Sequence, residues 1–264
     1  MTRPRLTLLH GFTQTGRSFE PLLPELSQHF DVVAPDLPGH GTRSSAPAPV
    51  DEAVRLLAEE GGRGFWLGYS MGARVALRLA LDHPELVDRL VLVSATAGIE
   101  NADEQAARRK ADEALAESLE APVVPPGGSR AGADQPADAS PDAGQLDAFL
   151  ERWLAQPMFA GLSAEAAGMD ARRENTAAGL AGALRLLGQG AFEPVWDRLL
   201  GLRMPVLVMA GERDDAYCEQ ALRLGAWIGE RATLAMVPGA GHACHLEAPD
   251  AFLDLAVRFL SESQ

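Results

Sequence analysis

Lysine is almost missing from this chain: Lys110 is the single one among 23 basic residues, and arginine supplies the rest. Positive charge as a whole is scarce, 23 basic against 37 acidic residues, giving a formal net charge of −14 and an isoelectric point near 4.8. Such a chain has no general attraction for nucleic acid or for an anionic membrane surface. Cysteine is nearly absent too, and Cys218 and Cys244 alone cannot form the disulfide framework of a small secreted domain. No apolar run approaches the roughly 20 residues of a transmembrane helix. The short run Leu6–Leu9 also falls below the roughly 7–15 apolar residues of a secretory signal core. The expectation is a soluble cytoplasmic protein, with its oligomeric state left open.

The 264 residues, 47% hydrophobic and 23% charged, suffice for one large core without metal or disulfide staples. Short apolar runs alternate with helical patterns, which predicts an α/β fold around a mostly parallel sheet. Strands are expected at Leu6–His10, Asp31–Pro35, Gly64–Tyr69, Leu90–Ser94, Pro205–Ala210 and Ala232–Val237. Helices are expected at Phe19–Gln28, Met71–Asp82, Cys218–Ile228 and Pro249–Leu260. Between Ser94 and Met204 the strand–helix rhythm stops and Ala-rich helical sequence takes over, at Asn101–Glu120, Leu146–Leu154 and Ala178–Leu187. This divides the chain into a sheet core, residues 1–97 and 203–264, and an inserted helical cap, residues 98–202. Five prolines among Gly, Ala, Ser and Asp make residues 121–145 an expected mobile loop within the cap.

Gly68-Tyr69-Ser70-Met71-Gly72 places a serine in a G-x-S-x-G turn between an apolar run and a helix, the context of a nucleophile elbow. A serine needs a histidine base, and that base needs an acid to hold its tautomer. His83 ends the helix after Ser70, so the base is read as His242, in the glycine-rich and flexible turn Pro238–His242 after the last strand. Asp214 follows the strand before it and is read as the acid, with Asp215 as its rival. Catalytic groups of open parallel sheets gather at that strand edge. His242, Cys244 and His245 could suggest a metal, but no second ligand pair completes a four-ligand site, so none is assigned. The backbone N–H groups of Phe12 and Met71 are the expected oxyanion hole.

These motifs, with Asp36-Leu37-Pro38-Gly39-His40-Gly41, resemble the α/β-hydrolase fold along nearly the whole chain. Gly98–Ala102 with Arg108, and Trp153-Leu154-Ala155-Gln156-Pro157-Met158-Phe159, resemble more narrowly the 2-succinyl-6-hydroxy-2,4-cyclohexadiene-1-carboxylate synthases of menaquinone biosynthesis. That resemblance implies a lyase that expels pyruvate from an enolpyruvyl cyclohexene, using Ser70, Asp214 and His242 as a triad and no cofactor. It also implies a small polycarboxylate substrate lying against Tyr69, Arg74, Arg108, Trp153 and Arg172, with Arg173 the neighbouring alternative to Arg172. One part is independent of the family: Arg74 lies four residues after Ser70 on the same helix face, where a cation suits a substrate carboxylate rather than a neutral ester. Competing readings are a carboxylesterase or C–C-bond hydrolase acting through Ser70, and a noncatalytic small-molecule-binding protein.

Overall fold

The computed structural model describes residues 3–121 and 141–262. Six strands form one sheet: β1 (Arg5–Leu9), β2 (Asp31–Val33), β3 (Gly64–Tyr69), β4 (Val87–Val93), β5 (Val206–Gly211) and β6 (Ala232–Val237). Their order is β2-β1-β3-β4-β5-β6, and every neighbouring pair is parallel. The helices are α1 (Leu23–His29), α2 (Val50–Gly61), α3 (Met71–Asp82), α4 (Ala102–Glu120), α5 (Pro141–Leu154), α6 (Met169–Arg172), α7 (Ala177–Leu187), α8 (Asp215–Ile228), α9 (Cys244–Glu247) and α10 (Pro249–Ser261). None in the described residues is long and apolar enough to cross a membrane.

The strands are short, continuous apolar runs because both sheet faces are covered. Period-two alternation then sorts their side chains. Leu90, Leu92, Val206 and Val208 enter one core with α2, α3 and α8. Val91, Val93, Leu207 and Met209 enter the opposite core with α1 and α10. Six of six expected strands are present within a few residues of their expected ends. Helix α2 was not expected, although Val50, Ala53, Val54 and Leu57 mark its buried face at helical spacing. The expected Phe19–Gln28 helix begins instead as a tight 3₁₀ segment, Gly16–Leu22, and turns α-helical at Leu23.

Between β4 and β5 lie α4 to α7, whose own core joins Leu119, Phe149, Leu150, Leu180 and Leu184. Asn101 caps α4 by accepting from the amides of Asp103 and Glu104, each at 3.0 Å. The expected loop 121–145 is shorter at its far end, because α5 already starts at Pro141; proline's fixed φ suits a first helical position. The rest of that loop, 122–140, lies outside the described residues.

Chain order reverses at β1, which has β2 on one side and β3 on the other. Crevices outside the carboxyl ends of such strands are where α/β sheets bind ligands. His10 to Phe12 leave β1 at that point and Ser70 leaves β3 beside them.

Candidate active site

Ser70 caps α3 with φ 51° and ψ −106°, a strained conformation for a residue bearing a side chain. The turn is this tight because neither flanking glycine has room for a Cβ. One at Gly68 would lie 2.4 Å from the Gly72 carbonyl oxygen, and one at Gly72 would lie 2.2 Å from that of Leu9. The strain lifts Ser70 to the start of α3, where the Met71 N–H has no helix carbonyl behind it.

His242 is buried and spans the gap to Ser70, with Nε2 3.2 Å from Ser70 Oγ. Its other nitrogen, Nδ1, lies 2.7 Å from Asp214 Oδ2. The carboxylate therefore accepts the Nδ1 proton and leaves Nε2 free to accept from the serine hydroxyl. Asp214 also caps α8 by accepting from the Tyr217 amide at 3.3 Å, which fixes the carboxylate. Asp215, the rival acid, is exposed in the first turn of α8.

The turn carrying His242 is not the flexible segment its glycines suggest. Glu247 accepts from Gly241 N–H at 2.7 Å and from Ala243 N–H at 3.0 Å, so one carboxylate grips the N–H groups of the residues on either side of His242. Ser94 Oγ donates to the His242 carbonyl at 2.8 Å. Glu247→Ala would leave two amides without their partner and let the imidazole drift from Ser70. Turnover is expected to fall about tenfold or more with little change in KM, and stability by about 2 kcal/mol. Steady-state kinetics and urea melts read the two effects separately.

Cys244 and His245 sit below this turn. His245 packs its ring against Tyr69, at 4.2 Å between centroids, and against Phe19 and Phe252. Burial pushes its pKa down to about 3, so it stays a neutral core ring. His10, whose pKa burial lowers to about 4, uses both nitrogens structurally: Nδ1 lies 2.8 Å from the Gly11 carbonyl and Nε2 accepts from Leu37 N–H at 3.0 Å.

Gly11 to Gln14 form the loop that carries the Phe12 amide. Tyr69 explains Gly11, since a Cβ there would lie 2.6 Å from the tyrosine ring. Thr13 holds φ 68°, unusual for a branched residue. Two cap residues hold it there: Asn175 Nδ2 donates to the Thr13 carbonyl at 2.9 Å, and Arg172 donates to the Thr13 hydroxyl. Asn175 Oδ1 also accepts from Gly41 N–H at 2.9 Å, joining the loop after β2 to the same knot.

A cavity of about 270 Å³ opens between Ser70 and the cap helices. Ser70, His242, Phe12 and Met71 line its floor; Tyr69, Arg74, Arg108, Trp153 and Arg172 line its walls. Of the residues assigned to the triad, the oxyanion hole or the substrate contacts, Asp214 alone stands outside it, behind His242. Arg74 is fully enclosed, donates to the Leu187 carbonyl at 3.1 Å, and keeps a buried, unpartnered Nε. Burial lowers its pKa to about 10. Arg172 is equally enclosed, bonded to the Ala167 carbonyl at 2.7 Å, and burial again lowers its pKa to about 10. Neither guanidinium has a carboxylate within 4 Å among the described residues. Arg108 differs: it is held by Asp112 at 2.8 Å and Gln189 at 2.9 Å. Arg173 points away, paired with Asp147 and Asp170 on the surface.

Gln14, Gln189 and Tyr217 also line the cavity and were missed by sequence reasoning. The Tyr217 ring lies 4.5 Å from that of His242. Its signal was available: three residues beyond Asp214 on α8 is one helical turn.

This arrangement of strand order, elbow and histidine turn agrees with what comparison shows, for residues 8–255 match the Alpha/beta hydrolase family. The chain belongs to the α/β-hydrolase family. A similar protein of Salmonella newport (strain SL254) is named 2-succinyl-6-hydroxy-2,4-cyclohexadiene-1-carboxylate synthase. It is 29% identical over 267 residues, covering 97% of this chain and 94% of that one. The solved structure of MenH from S. aureus superposes with a TM-score of 0.83 at 26% identity, over 98% of this α/β-hydrolase and 94% of the other. A shorter stretch, 35% of this chain and 38% of the relative, is 40% identical to a pimeloyl-[acyl-carrier protein] methyl ester esterase of Nitrosomonas europaea.

Proposed function

We propose that this α/β-hydrolase is a carbon–oxygen lyase that eliminates pyruvate from 2-succinyl-5-enolpyruvyl-6-hydroxy-3-cyclohexene-1-carboxylate. The ring product is 2-succinyl-6-hydroxy-2,4-cyclohexadiene-1-carboxylate, and the step belongs to menaquinone biosynthesis. The observation that carries this reading is the pair of buried guanidiniums, Arg74 and Arg172, facing the same cavity as Ser70 without carboxylates of their own. Enclosed charges without counter-ions are costly, and a polycarboxylate supplies the missing partners. Arg108, already braced by Asp112 and Gln189, lines the same space. The Salmonella relative named for this reaction supports the substrate assignment.

In this mechanism Asp214 holds His242 so that Nε2 takes the Ser70 proton as the serine oxygen removes a proton from the substrate ring. The electron pair of that C–H bond, at C2, forms the 2,3 double bond, the existing 3,4 double bond shifts to 4,5, and the C5–O bond to the enolpyruvyl group breaks. Phe12 and Met71 amides stabilise negative charge growing on a substrate oxygen. The enolate of pyruvate departs and takes up a proton, balanced by the one that the His242 imidazolium gives up to restore the resting triad. No bond to Ser70 forms and no cofactor takes part.

Pyruvate release from freshly generated precursor, followed with lactate dehydrogenase and NADH, tests the assignment. Release well above the enzyme-free decay is the expected result. A rate equal to that decay, with rapid turnover of a chromogenic ester, would instead make the protein a carboxylesterase acting through Ser70.

A further inference from the structure

Gln14 is buried, 1% exposed, in the loop that follows β1, and it lines the cavity. Its side-chain amide has a determined orientation. Oε1 accepts from the Gly11 N–H at 3.0 Å, and a flipped amide would set an NH₂ against that N–H, donor against donor. The loop closes in the opposite sense as well, Gln14 N–H donating to the Gly11 carbonyl at 3.2 Å. With Oε1 committed, Nε2 is left buried and without a partner among the described residues.

Gln14 Nε2 is one of three such orphans on residues lining the cavity, the others being Arg74 Nε and Trp153 Nε1. All three are donors. Buried polar groups are nearly always satisfied, so three unmatched donors around one space describe a ligand that offers acceptors to each. Two kinds of donor are present. Guanidiniums meet charged oxygens, as proposed above; a carboxamide NH₂ brings a hydrogen bond and no charge.

We propose that Gln14 is a specificity-determining residue, whose NH₂ donates to an uncharged carbonyl oxygen of the bound anion and so selects keto acids over acids lacking that oxygen. The inference rests on the reading of the cavity as an anion site and extends it from carboxylates to a ketone. A keto acid gains the bond, whereas an acid with a methylene at that place leaves the buried NH₂ unpaired, which is where hydrogen-bonding sites discriminate most strongly.

Calorimetric binding of two probes tests it: 4-oxo-4-phenylbutanoate and 4-phenylbutanoate, which differ by the ketone oxygen alone. Two variants are compared with the wild type. Gln14→Glu keeps an oxygen for the Gly11 N–H and replaces the NH₂ with oxygen; Gln14→Met removes both ends and adds no charge. The wild type is expected to prefer the keto acid about tenfold, and each variant to lower that ratio about fivefold or more. The glutamate also weakens both probes through its charge, but the ratio is unaffected by a loss common to both. An unchanged ratio in both variants would overturn the role of Gln14 and leave the anion site standing. Failure of both probes to bind the wild type would overturn the reading of the cavity as an anion site, and equal binding of the two by the wild type would overturn the role of Gln14 alone.

Discussion

Ser70→Ala and His242→Ala are each expected to lower enzyme-dependent pyruvate release by a factor on the order of 10³ or more, and the double variant by little beyond that. The non-additivity follows from the geometry. Ser70 Oγ lies 3.2 Å from Nε2 and Nδ1 lies 2.7 Å from Asp214, so Ser70 and His242 act as one unit oriented by Asp214, and removing either disables it. Both variants are expected to stay folded, because Ser70 is only half-buried and His242 is held through its main chain by Ser94 and Glu247. Initial rates measured after subtraction of spontaneous decay are the readout. Near-normal rates in both would remove Ser70 and His242 from the mechanism.

Arg74→Met is expected to cost about 100-fold in kcat/KM while making the free protein more stable by about 1–2 kcal/mol. These opposite signs have one cause. Burial moves the Arg74 pKa from 12.5 to about 10, a penalty on the order of 3 kcal/mol against the charged form. At neutral pH the group is charged in both folded and unfolded chains, so the full penalty is present; it is relieved only as pH rises above about 10. Methionine fills similar volume, sacrificing the bond to the Leu187 carbonyl and removing the charge. A chemical melt and a Michaelis curve of the variant decide it. An Arg74→Met protein that is less stable and fully active would mean that this guanidinium serves the fold rather than an anion.

The parts of this protein written in contiguous residues could be read directly. Apolar runs such as Val206–Ala210 announce strands buried on both faces, and Gly68–Gly72 announces a turn whose two glycines have backbone where a Cβ would go. The order Ser70, Asp214, His242 then follows from successive strand ends. What could not be read depends on partners far apart along the chain. Asn175 bonds Thr13 across 162 positions and Gly41 across 134. An exposed polar residue and a buried one of this kind look alike in sequence. Gln14 offers no local pattern either, since its orphan NH₂ is defined only once Gly11 has taken its oxygen. Glu247 lies just four residues beyond Ala243, but its grip on both sides of His242 needs the short α9 to fold the chain back. Arg108 is legible only through the family resemblance: the local pattern Arg108-Arg109-Lys110 is that of a solvated helix face, and the buried Asp112 one turn later holds its guanidinium at the cavity.

The knot tied by Asn175 has a consequence for how this architecture can vary. Its amide fastens the Thr13 carbonyl and the Gly41 N–H of the sheet scaffold, and also the Arg172 carbonyl at 2.8 Å, at one point. The inserted helices therefore cannot be exchanged between relatives as a removable module. A chimera that changes the segment around Asn175 loses the clip that keeps Thr13 left-handed and the neighbouring Phe12 amide in place. A transplant intended to alter which molecule is accepted would disturb the chemical step as well, unless Arg172 and Asn175 travel with the scaffold.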